Sequence, residues 1–296
     1  MPITIPDDLP ARRQLEEDGV IVMSETDAVR QEIRPLRIGL LNLMPDKINT
    51  EAQLARLLGG TPLQIELTLV SITGHVPRNT PLDHMDAFYR SWEDVRNERF
   101  DGFIITGAPV EHLAFEDVTY WSELQDIFNW TQTNVHRSLM ICWAAQAALY
   151  HFYGVQKQLL AHKAYGIFEH RNLAATSPYL RGFSDEFAVP VSRWTEVSEQ
   201  EIAGIKSLEV LADSAETGLC LLDDARHSML YMFNHLEYDA DTLAREYQRD
   251  QLQIPANYFP DGNPELPVRN NWRSHAQLLF GNWINEIYQT TSFDFV

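Results

Sequence analysis

Cysteine is scarce in this chain: 2 residues among 296. That number excludes a disulfide-stapled scaffold and suits a reducing cytoplasm. There is no CxxC or HExxH spacing, so no metal is expected. No apolar run reaches the roughly 18 residues of a membrane span. Met1-Pro2-Ile3-Thr4-Ile5-Pro6-Asp7-Asp8 has no basic stretch ahead of an apolar core, so no signal peptide is expected. Basic charge is also short. Lys and Arg number 23 against 42 Asp and Glu, a formal net charge of −19. Such a surface repels phosphate backbones and argues against nucleic acid as a partner. No internal repeat divides the chain.

What is present is enough apolar sequence, 45% of the residues, to bury a sizeable core. Residues 1–36 read as an N-terminal arm around one apolar run, Val20-Ile21-Val22-Met23, packed on a main domain of residues 37–296. Arg37 to Leu43 is a near-continuous apolar run, as expected of a strand buried on both faces. Thr50-Glu51-Ala52-Gln53 matches a capping box and predicts a helix that Gly59-Gly60 stops. Gln64 to Ile72 is the next strand, so a right-handed parallel crossover follows. Residues 79–100 read as polar, then helical. Phe100 to Pro109 is a buried strand ending in a small-residue turn. Val118, Trp121, Leu124, Ile127 and Phe128 recur at helical spacing. Residues 156–200 read as loop-rich. Short strands are expected at Leu208–Ala212, Gly218–Leu222 and Ser228–Phe233. A helix is expected over Asp241–Asp250, and a last amphipathic one around Leu278-Leu279-Phe280-Trp283-Ile284. The fold class is α/β, with a mainly parallel sheet flanked by helices.

The chemistry concentrates at Ser138-Leu139-Met140-Ile141-Cys142-Trp143-Ala144-Ala145-Gln146. A short apolar run passes into an alanine-rich helix with Cys142 at the join, the pattern of a nucleophile elbow. The helix N-terminus favours a thiolate there. A lone buried cysteine is more often inert. Far along the chain, however, His235 and Glu237 follow another buried strand. A cysteine beside a histidine, itself oriented by a carboxylate, is an activated nucleophile. The His-x-Glu spacing would place both side chains on one side of an extended segment. Backbone N–H groups at Gly107, Ala108 and Trp143 are candidates for an oxyanion hole.

Cys-x-x-x-Gln after a strand, with a later His-x-Glu, resembles the class I glutamine amidotransferase fold, a flavodoxin-like three-layer sandwich. The chain as a whole more closely resembles the homoserine O-acyltransferase family, which shares that fold. The resemblance rests on Leu43-Met44-Pro45-Asp46-Lys47, Ile105-Thr106-Gly107-Ala108-Pro109-Val110-Glu111, Ile141-Cys142-Trp143, Ser192-Arg193, Glu237-Tyr238-Asp239, Glu246-Tyr247 and Arg249-Asp250. It covers nearly the whole chain. It implies that Cys142 carries an acyl thioester, with His235 as base and Glu237 as its orienting partner. It implies that Lys163, Ser192 and Arg249 contact the amino-acid substrate, and that position 111 selects the acyl group, glutamate going with acetyl. The implied reaction is acetyl transfer from acetyl-CoA, a cosubstrate with no permanent cofactor, to L-homoserine in methionine biosynthesis. Partners are small molecules, and a homodimer is the expected assembly. L-serine as acceptor (cysteine biosynthesis), succinyl-CoA as donor and a glutaminase using the same triad remain alternatives. Val191, Trp194, Asn234 and Leu236 depart from the family's usual residues, and Ala144 and Ala148 stand where glycine is common.

Overall fold

A computed structural model describes residues 3–6, 8–18, 20, 22–23, 34–74, 79–250 and 253–292. The rest of the expected N-terminal arm, including residues 24–33 and Ile21, lies outside the described residues. In chain order the elements are β1 (Ile3–Thr4), α1 (Ala11–Glu17), β2 (Val22–Met23), β3 (Leu36–Leu41), α2 (Lys47–Leu58), β4 (Ile65–Ser71), α3 (Leu82–Phe88), β5 (Tyr89–Ser91), α4 (Trp92–Val95) and β6 (Phe100–Ile105). Then come α5 (Trp121–Asn134), β7 (Val135–Ile141), α6 (Trp143–Tyr153), β8 (Lys157–Asn172), β9 (Glu186–Val197), α7 (Glu199–Ala203), β10 (Leu208–Ser214), β11 (Gly218–Asp224), β12 (Met229–Met232), α8 (Thr242–Asp250) and α9 (Arg273–Thr290).

One sheet runs in the order β2-β1-β4-β3-β6-β7-β12-β11-β10-β8-β9, with β5 added to β4. From β2 to β12 the pairings are parallel, and from β12 to β9 they are antiparallel. Strand alternation sorts the core into two layers. Ile38, Leu40, Ile104, Leu139 and Ile141 face α1, α2 and α9, where Leu15, Leu54, Leu58, Leu279, Phe280 and Trp283 are buried. Leu41, Phe103, Ile105 and Met140 face α5 and α6, against Leu124, Ile127, Phe128, Ala144 and Ala148. These are the three layers of the expected α/β sandwich.

Three local expectations are corrected. Helix α2 begins one turn before the Thr50 capping box. Asp46 is its N-cap and accepts from Asn49 N at 3.4 Å, while Thr50 Oγ1 donates to the Asp46 carbonyl at 3.0 Å from inside the helix. Residues 156–200 are not loop-rich: β8 and β9 form a long antiparallel pair through that stretch. Residues 79–100 are not one helical run, because β5 separates α3 from α4.

Candidate active site

Cys142 sits where β7 ends and α6 begins. Its backbone is strained, with φ 52° and ψ −115°, and it is the N-cap of α6. A left-handed φ costs a non-glycine residue energy and persists only where the surroundings hold it. Here the Cys142 N–H donates to the Met232 carbonyl at 2.7 Å, fixing the elbow to the end of β12. The sharp turn lifts the side chain off the sheet at the helix N-terminus. Gly107, past the end of β6, packs directly against it. A Cβ built there would lie 3.2 Å from Cys142 Cβ and 3.6 Å from Trp143 N. The Thr106 hydroxyl, which accepts from Leu43 N at 2.8 Å and donates to the Gly107 carbonyl at 3.1 Å, ties this turn to the chain beyond β3.

His235 lies past β12 and is buried. Its backbone N–H donates to the Pro190 carbonyl on β9 at 2.9 Å. Nδ1 is 2.7 Å from Glu237 Oε1, so this nitrogen carries the proton that the carboxylate accepts. The His-x-Glu segment does not place its two side chains by the expected strand geometry. Residues 235–238 form a turn closed by Tyr238 N–H to the His235 carbonyl at 3.2 Å, not an extended segment. Burial alone would lower the imidazole pKa. The Glu237 carboxylate, the Cys142 sulfur and a side-chain hydrogen bond to Cys142 outweigh it and hold His235 well above the ordinary histidine value. The structure thus brings Cys142, His235 and Glu237 into one chain of contacts.

Cys142 and His235 open into a cleft of about 460 Å3 that also takes in Gly107, Ala108, Glu111, Lys163, Ser192, Trp194, Glu246 and Arg249. Every side chain expected to meet substrate therefore faces one space. Lys163 Nζ is 3.5 Å from Glu246 Oε2, and Ser192 Oγ donates to the same oxygen at 2.6 Å. Arg249 stands at the rim with its fork on Asp250, at 2.5 and 2.7 Å. Glu111 Oε1 accepts from Trp194 N at 3.2 Å. Burial raises the Glu111 pKa, and the Trp194 N–H and Lys163 pull it partly back. A larger hollow, about 820 Å3, lies behind Glu237 between α1, α2 and α9 and does not reach Cys142 or His235. The reactive groups belong to the smaller cleft. Among the described residues no His, Cys, Asp and Glu cluster could hold a metal, and no helix is long and apolar enough to cross a membrane.

Four polar residues of the site carry no role in the sequence reading. Glu246 stands three residues before Arg249 on α8, a helical spacing that puts both on one face. Tyr238 follows Glu237 directly, and only the turn brings its ring against His235. Arg193 is buried and donates to the carbonyls of Thr195 and Thr217 and to Asn234 Oδ1. Thr195 also exchanges two hydrogen bonds with Gln146 of α6, at 2.7 and 3.1 Å. Arg193 and its neighbour Thr195 thus join the nucleophile's helix to Asn234, the residue before the histidine. No sequence spacing announces that link.

The family model described as homoserine O-succinyltransferase matches residues 2–293. A homoserine O-acetyltransferase of Rhizorhabdus wittichii is 68% identical over 295 residues, covering 99% of this chain and 93% of the relative. One of Brucella canis is 64% identical over 299 residues, covering 99% and 98%. Among solved structures, a glutamine amidotransferase of Thermotoga maritima superposes with a TM-score of 0.58 at 9% identity, covering 87% of this chain and 100% of that one. One from Methylobacillus flagellatus gives 0.51 at 14%, covering 86% and 95%. At such identities the structural likeness speaks to the fold, which is that of the class I glutamine amidotransferases.

Proposed function

The chain belongs to the homoserine O-succinyltransferase family, and from that premise we propose that it moves an acetyl group from acetyl-CoA, through a thioester on Cys142, to the side-chain hydroxyl of L-homoserine. It is an acyltransferase using an acyl-CoA cosubstrate. The observation that carries the mechanism is the contact chain from Cys142 to His235 to Glu237 at the edge of a cleft large enough for a small substrate.

The steps follow from that geometry. The Cys142 sulfur attacks the acetyl-CoA carbonyl carbon, and the C–S bond to CoA breaks. The imidazolium of His235 gives its proton to the departing CoA sulfur. Backbone N–H groups of Gly107, Ala108 and Trp143 hold the oxyanion. In the second half, neutral His235 takes the proton of the homoserine hydroxyl. That oxygen attacks the acetyl carbon and releases the Cys142 thiolate. Glu237 keeps the imidazole in one tautomer and stabilises its charged form. Lys163, Ser192 and Arg249 hold the acceptor. Arg249 meets the acceptor carboxylate with the guanidinium edge that Asp250 leaves uncovered.

Homoserine is preferred to serine because the relatives at 64–68% identity are named for it. The same names, over nearly the whole chain, favour acyl transfer above glutamine hydrolysis. Acetyl is preferred to succinyl because Glu111 brings a half-buried carboxylate to the cleft, where a second carboxylate meets repulsion. A matrix of acetyl-CoA and succinyl-CoA against homoserine and serine tests the reading. Acetyl-CoA with homoserine should give the highest kcat/KM. A higher value for any other pair would overturn the substrate assignment.

A further inference from the structure

The tyrosine that follows the His-x-Glu turn stacks on the histidine. The rings of His235 and Tyr238 have centroids 4.2 Å apart and planes 19° from parallel. Tyr238 is buried and held at three points. Its N–H closes the turn onto the His235 carbonyl, its carbonyl accepts from Trp272 Nε1 at 2.8 Å, and its hydroxyl donates to Glu246 Oε1 at 2.7 Å. Glu246 turns its other oxygen to Ser192 and Lys163 in the cleft. One aromatic ring therefore spans from the imidazole to the carboxylate on the acceptor side.

We propose that Tyr238 is a positioning residue: its ring fixes the imidazole of His235 in line with Cys142, and its hydroxyl ties that ring to Glu246 beside the bound acceptor. This rests on the reading of His235 as the proton carrier.

Hydrogen bonds to Glu237 and to the Cys142 sulfur hold the two edges of the imidazole but leave it free to rotate about the line between them. A parallel ring against its face removes that freedom. An aromatic face also attracts a cation, so the stack favours the imidazolium that protonates the leaving CoA sulfur. Burial raises the Tyr238 hydroxyl well above its ordinary pKa, with the Glu246 charge adding to the effect, so it remains a donor. The titratable groups that face His235 are Glu237 on its own turn, Cys142 at the start of α6, Glu111 beyond β6, and Tyr238 itself. Glu246 of α8 and Lys163 of β8 stand past the tyrosine.

The test uses Tyr238→Phe and Tyr238→Leu in the full chain. CoA release is followed without acceptor across pH, then acceptor KM at saturating acetyl-CoA, with melting curves of both variants. Phe keeps the ring, so the alkaline limb of CoA release should stay in place. Acceptor KM should rise about fivefold, the worth of one lost hydrogen bond. Leu removes the ring, so CoA release should slow about tenfold or more. Its alkaline limb should move about half a unit to lower pH, because an imidazolium without its aromatic face loses its proton sooner. A folded Leu variant with wild-type rate and limb would overturn the proposal. So would a Phe variant whose limb moves, or whose acceptor KM does not change, a result readable even if the Leu variant fails to fold. Acetyl-Cys142 is measured in the same wild-type samples. CoA release without that adduct would overturn the thioester reading instead.

Discussion

Gly107 and Cys142 meet across the ends of two neighbouring strands, so closely that a Cβ on the glycine would lie 3.2 Å from the cysteine Cβ. The glycine is required by approach, not by its backbone angles. Gly107→Ala should therefore push the strained elbow by a few tenths of an ångström. Turnover should fall about tenfold, since sub-ångström misplacement of a reacting group is costly, with little change in Tm. Steady-state kinetics beside a melting curve check this. Loss of stability with unchanged kcat would point to packing alone.

His235→Asn should lower both half-reactions by about 10²-fold or more, the scale of a lost general acid and base. Glu237→Gln keeps a hydrogen-bond acceptor for Nδ1 but loses the charge that raises His235. Its alkaline limb for CoA release should therefore move to lower pH. Stopped-flow CoA release over a pH series separates the two variants.

Glu111→Gly should open the donor site to succinyl-CoA. It removes a carboxylate and leaves the Trp194 N–H, which now donates to it, for the terminal carboxylate of the succinyl group. The ratio of kcat/KM for succinyl over acetyl should rise about 10²-fold, or about 2.7 kcal/mol. Because burial raises the Glu111 pKa, the wild-type carboxylate takes its proton at a higher pH than an ordinary glutamate. Its preference for acetyl should accordingly weaken as pH falls. A ratio that ignores both the substitution and pH would remove Glu111 from donor selection.

His170 carries a stability prediction. It is buried, with Nδ1–H on the Phe168 carbonyl at 3.0 Å and Nε2 accepting from Asn234 at 2.9 Å. Burial, with a smaller effect of Arg193, lowers its pKa to about 4, against the Phe168 bond, which raises it. Below the unfolded histidine value the unfolded chain binds a proton here that the folded chain does not. The contribution is therefore full above about pH 6.5 and lost as pH falls toward the folded value. From about pH 7 to about pH 5 it should shrink by about 2 kcal/mol. Urea unfolding of the wild type and His170→Gln should show their gap narrowing by that amount. A constant gap would mean that His170 does not stay neutral.

The parallel half of the fold was legible because strands buried on both faces, such as Phe100–Ile105 and the Ser138–Ile141 end of β7, leave apolar runs that little else produces. The β8–β9 pair was not. Its polar residues Lys163, Ser192 and Arg193 face the cleft or a buried network, so the alternation that marks a half-exposed strand is broken by the site itself. Cys142, His235 and Glu237 were legible because each follows a strand end. Glu246 and Tyr238 were not, because their contacts depend on a turn and on the docking of α8. The Thr50 capping box misled because Asp46, one turn earlier, already supplied an acceptor.

The most direct measurement is rapid-quench mass spectrometry of the protein mixed with acetyl-CoA alone, then with homoserine. One acetyl group should appear on the peptide containing Cys142, in step with CoA release. It should vanish as O-acetylhomoserine forms, and Cys142→Ala should abolish both. Turnover at the wild-type rate with no acetyl group on Cys142 at any time point would contradict transfer through that thioester.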